Sequence, residues 1–296
     1  MIRELFFTLF WAVSLTLTLL FVVTRMLYVG LSVTPAQLAD LRRHSSLLIR
    51  ALLANFVVVP ALGVAIAAMS WVPAPAALAI VIVALLAGGT DFLGLAEPSN
   101  GELRLAAPLT FVLSMVGGLL SPIVRVLIQP SGTPMMGSVW KLLAVTTLAV
   151  ALPLIIGVLL RRLAPATARV LSKATALVAV LLFVAAAAAT FLVKAPLAAE
   201  IGVRGVLAMI VLLVGAGLVG ALFGGPSMQQ RTLLARITMM RNVGLGLLLA
   251  IVAFPDAAVD VAIVLFVVVE LALRAVWLTI GWSMVPSIPT LRSGKP

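Results

Sequence analysis

Apolar runs of about twenty residues or more follow one another along almost the whole chain, parted by short hinges of proline, glycine or charge. As a helix, a run of that length crosses the hydrocarbon core of a bilayer. In hydrocarbon no water is at hand, so each segment must satisfy its own backbone N–H and C=O groups. The runs lie at 5–31, 47–70, 76 onward, 103–128, 139–160, 166–193, 201–223, 228–254 and 256–282. They predict an all-α polytopic membrane protein with nine transmembrane helices and little outside the bilayer. Composition agrees: only 10% of the 296 residues are charged, where a soluble domain carries about a quarter. A soluble enzyme, a secreted module and a disordered chain are excluded.

The formal net charge of +11 suggests nucleic acid at first sight. The basic residues argue against it, because they stand between spans rather than on one surface, and no aromatic-basic recognition motif accompanies them. The positive-inside rule explains them better. Ten Lys and Arg collect on one side, from Arg42 and Arg43 to Arg292 and Lys295. Four collect on the other: Arg3, Lys141, Lys194 and Arg204. The N-terminus is therefore expected outside and the C-terminus in the cytoplasm, in a membrane of the bacterial inner type. The stretch 1–31 reads as a first span, too long for the apolar part of a signal peptide. No cysteine is present, which excludes disulfides and thiolate metal sites. His44 reads as a solvated loop residue at 34–46.

The chain repeats itself weakly. Span 3 is interrupted by Gly88-Gly89-Thr90-Asp91 and span 8 by Met240-Arg241-Asn242-Val243-Gly244. Each break precedes an apolar helix with a deep arginine, Arg125 after the first and Arg274 after the second. Spans 6–9 thus read as an inverted second copy of spans 1–4, with span 5 unmatched. Inverted repeats with discontinuous helices are a transporter architecture whose breaks mark the binding site. The plainer reading of Gly88-Gly89 is close helix packing.

Met26-Leu27-Tyr28-Val29-Gly30-Leu31-Ser32, Thr34-Pro35 and Asn55-Phe56 with Pro60 resemble the opening of the bile acid:sodium symporter family. Gly88-Gly89-Thr90, Gly101, Leu105, Leu109-Thr110 and Ser121-Pro122 keep that family's spacing, and Asn242 with Gly244-Leu245 and Leu248 resembles its second broken helix. The resemblance implies a panel domain at 1–38 and 138–193 (spans 1, 5 and 6). It implies a core domain at 45–130 and 199–285 (spans 2–4 and 7–9), in which broken helices 3 and 8 cross, and it leaves a cytoplasmic tail at 286–296. It also implies import of bile acids or other organic anions, usually with sodium. The departures fall on the sodium ligands. Asp91, Phe92 and Leu93 stand where the family places a small residue and Ser-Asn. Ile237 replaces a Glu, Arg241 replaces a Gln before Asn242, and Ala106 replaces a Ser, while Thr110 is kept. A hard cation wants several oxygen ligands, and most of the expected side-chain donors are absent.

Arg241 is therefore expected to supply the positive charge that sodium otherwise brings, with Asp91 as partner. Alternatively Arg241 grips a substrate carboxylate with its planar fork, Asp91 carries a proton, or the two form a structural ion pair. Thr90, Asn242 and Gly89 are the remaining expected substrate contacts, and Asn242 reads equally as a helix cap. Glu270 and Arg274, four apart, read as a structural pair or a proton relay. Asn55 reads as helix–helix glue, and Arg25 and Arg125 as snorkelling residues. No cofactor, metal cluster or nucleophile–base pair is expected, so no enzyme. The expected partners are a small organic anion and the bilayer; a homodimer stays open. The runner-up is a sodium-independent or proton-coupled carrier or exporter of another solute; against transport altogether stands a receptor or scaffold whose ion site is lost.

Overall fold

Helix follows helix, with no strand among the described residues of this computed structural model, which are 2–89, 103–128, 139–254 and 258–284. The elements are α1 (Ile2–Leu31), α2 (Pro35–Arg43), α3 (Ser45–Leu53), a π-helical turn (Ala54–Val58), α4 (Val59–Ala67) and α5 (Ala74–Leu85). After them come α6 (Leu103–Ile128), α7 (Val139–Leu163), α8 (Pro165–Lys194), a 3-10 turn (Ala195–Leu197) and α9 (Ala198–Phe223). The last are α10 (Met228–Met239), α11 (Val243–Ala253) and α12 (Val259–Met284).

Six stretches among the described residues are long and apolar enough to cross a bilayer: Leu9–Leu31, Ser45–Ala67, Arg104–Ser121, Ala144–Leu163, Pro165–Phe223 and Met228–Ala253. Pro165–Phe223 runs 59 residues and holds two helices, α8 and α9. The outward surface is apolar too. Leu148, Leu152, Ile155 and Leu159 form an exposed stripe along α7, and Leu177, Leu181 and Val184 another along α8. Apolar faces both inside and outside mark helices solvated by lipid. The chain is an integral membrane protein.

The segment 34–46, expected as a loop, is mostly the helix α2. Thr34 explains it. Its hydroxyl accepts a hydrogen bond from the Gln37 amide (3.3 Å), and the Gln37 side chain accepts one from the Thr34 amide (2.8 Å). That reciprocal box, with Pro35 at the first helical position, starts a helix as the chain leaves the first span. Span 2 is not uniform either. Pro60 offers no N–H, and the Asn55 side chain donates back to the Ala51 carbonyl (2.9 Å). Both disturb the ladder where the π turn lies.

α1 packs chiefly against α7 and α8, and α9 against α10, α5, α12 and α4. Phe21 of α1 meets Phe183 of α8 with ring centroids 5.3 Å apart, and Ser14 hydrogen-bonds Thr190 (3.1 Å). α11 lies innermost, with every residue from Val243 to Ile251 buried.

Candidate functional site

Two helices stop in mid-protein, and their ends meet. α5 ends at Leu85, and the chain runs on through 86–89 without helix. α10 ends at Met239, and α11 restarts at Val243 after a break at 240–242. The Asn242 N–H donates to the Leu86 carbonyl (2.9 Å), a backbone bond between the two breaks. At Gly89 a Cβ would run into the Arg241 carbonyl, so only glycine lets the two breaks touch. Gly88 turns the chain with φ +84°, a left-handed value that glycine takes at no steric cost. Its carbonyl accepts a hydrogen bond from the Ser114 hydroxyl of α6 (2.8 Å).

Arg241 fills the crossing. It is 1% exposed. Its Nε donates to the Val83 carbonyl (2.9 Å) and Nη2 to the Ala84 carbonyl (2.5 Å). Nη1 donates to Asn55 Oδ1 (2.9 Å) and to the Thr238 carbonyl (3.2 Å). Four of its N–H groups are thus engaged. Val83 and Ala84 belong to the last turn of α5, and Thr238 to the last turn of α10. Those turns carry carbonyls with no partner inside the helix. Asn55 is locked as an acceptor toward Arg241, because its Nδ2 donates to Ala51 O (2.9 Å) and Thr238 Oγ1 (3.1 Å). Here the guanidinium faces carbonyls, not a cavity.

Asn242 caps α11, its Oδ1 accepting from the Leu245 N–H (3.3 Å). The residue is 5% exposed, and its Nδ2 has no hydrogen-bond partner among the described residues. Gly244 belongs to α11 rather than to the break expected there. A Cβ on it would lie 2.7 Å from Phe21 Cε1, so its small size admits α1. Thr110 is half-buried on α6, one turn before Ser114. Glu270 and Arg274 are buried one turn apart on α12. Thr90 and Asp91 lie outside the described residues, as does the Arg125 side chain. Arg25 does not snorkel: it is 4% exposed, its guanidinium 5.3 Å from the Tyr28 ring centre.

The sequence points to Arg241 and Asn242 as unusual but misses Thr238 and Ser114, and sees Asn55 only as glue. Ser114 had a signal, one turn beyond Thr110. The carbonyls of Val83 and Ala84 had none, because any residue supplies a carbonyl. Away from the crossing, a cleft of about 290 Å3 opens where α2, α6 and α10 approach, between Asp40, His44, Arg104 and Gln230.

A model of the sodium bile acid symporter family matches residues 17–201, well over half of the chain. The match takes in the first break and stops before the second. Comparison with curated proteins gives no match. The chain belongs to the sodium bile acid symporter family.

Proposed function

We propose that the protein is a secondary transporter of a small organic anion, held at the helix crossing and passed across the membrane by alternating access. Asn242 carries the reading. Its buried amide nitrogen has no partner among the described residues, and an unpartnered buried polar group costs free energy, so in this reading it takes a ligand acceptor. It sits at the N-terminus of α11, the positive end of the helix dipole, where an anion is favoured. Thr90 and Gly89 complete the site in this reading. Nine spans, a panel of α1, α7 and α8, and a core around the crossing follow the family architecture. The packing of α1 on α7 and α8 supports it. Asn242 is 5% exposed, so in this reading the core moves against the panel to admit the anion.

The test is a thermal-shift screen of purified protein against bile-acid-like and smaller organic-acid anions, followed by uptake of a stabilising anion into proteoliposomes. At least one anion should stabilise and accumulate. Asn242→Ala should weaken its binding roughly tenfold or more, the loss of one hydrogen bond to a charged group. Binding as tight in Asn242→Ala as in the wild type removes the reading. Stabilisation without uptake selects a non-transporting receptor instead.

A further inference from the structure

We propose that the Arg241 guanidinium is the resident cation of the crossing, tethered at the position to which the family resemblance assigns a sodium ligand, and that this protein works without sodium. The proposal rests on the transport reading for its role, but not for its geometry.

Four oxygens from three segments converge: Val83 O and Ala84 O from α5, Thr238 O from α10, and Asn55 Oδ1 from the π turn. Val83, Ala84, Asn55 and Thr238 are fully buried. Carbonyl and amide oxygens gathered in this way are the donor set of a hard cation. The helix ends raise the demand. Each helix C-terminus carries roughly half a negative charge, and here two of them, α5 and α10, point into one dry space. The guanidinium answers these two negative ends directly, through the carbonyls of their last turns. The planar fork reaches all four oxygens at once, which an ammonium on the same stem would not.

Sodium does not fit beside it. Each of the four oxygens already accepts from Arg241, and an ion would have to displace a covalently tethered side chain from a buried cage. The Asn55 amide cannot turn away, since its nitrogen holds Ala51 O and Thr238 Oγ1. A tethered charge also cannot leave with the substrate, so it holds the two half-helices together without drawing on a sodium gradient. Removing the side chain uncovers the cage, and a small cation should then occupy it.

The experiment is thermal unfolding of the purified full chain and of Arg241→Ala, each in sodium, in N-methylglucamine at equal ionic strength, and with added methylguanidinium. Wild type should melt at the same temperature in sodium and N-methylglucamine. Arg241→Ala should melt roughly 5–10 °C lower and recover part of the loss with sodium or methylguanidinium, but not with N-methylglucamine. A sodium-specific stabilisation of the wild type overturns the proposal. So does an Arg241→Ala protein that melts like the wild type and ignores all three cations. If Arg241→Ala gives no folded protein, the wild-type comparison decides alone. These readouts use the cations only and need no anion. Failure of anion uptake therefore sinks the transport reading and leaves the resident cation standing, and the reverse also holds.

Discussion

At Gly88 the Ser114 hydroxyl ties the first helix break to α6. The bond from Ser114 Oγ to the Gly88 carbonyl is buried, so Ser114→Ala leaves an acceptor without a donor. The expected cost is about 1–3 kcal/mol, read as a lower melting temperature with the helix content unchanged. Gly89→Ala should cost more, because its Cβ meets the Arg241 backbone and the two breaks must separate. A Gly89→Ala protein as stable as the wild type would mean that the breaks are not held in contact. The crossing residues were partly legible. Arg241 and Asn242 stand out because charge and amide are rare in an apolar run, and each is expensive there unless partnered. Their partners were mostly illegible, since three of the four Arg241 acceptors are backbone carbonyls. The snorkelling expected of Arg25 did not appear: its side chain is 4% exposed and lies over the Tyr28 ring of the same helix.

Among the elements, the tie between α8 and α12 is the most open to test. Lys194 Nζ lies 2.8 Å from Asp260 Oδ2, with both side chains largely buried. Lys194 closes α8 and Asp260 lies in the first turn of α12, so each charge also complements its own helix dipole. A double-mutant cycle with Lys194→Ala and Asp260→Asn should give a coupling of about 1–3 kcal/mol. Additive losses would mean that the ion pair contributes nothing of its own. If α8 moves with a panel and α12 with a core, the same variants should also change the rate of anion uptake. The helix α2 was readable in principle, from a threonine, a proline and a glutamine at capping spacing. The π turn was not, because Pro60 alone also permits a simple kink.

For the whole molecule, the expectation open to direct measurement is orientation. The chain has no cysteine, so each one introduced is the only thiol present. Ala199 and Ser45 are exposed, on opposite sides of the membrane according to the distribution of Lys and Arg. In right-side-out vesicles an impermeant maleimide should label Ala199→Cys at once and Ser45→Cys only after permeabilisation. The opposite pattern inverts the topology. The sequence by itself determined the solvent and the class of fold. An apolar run long enough to span lipid has few stable forms besides a helix, and the scarcity of charge makes each exception visible. It also located the two breaks, because glycine pairs and polar residues interrupt the apolar runs there. Only the tertiary structure decided what Arg241 touches. Whether Arg241 meets a carboxylate, a substrate or a set of carbonyls depends on which helix ends are brought together. That juxtaposition joins residues more than 150 positions apart, through backbone atoms that every residue shares.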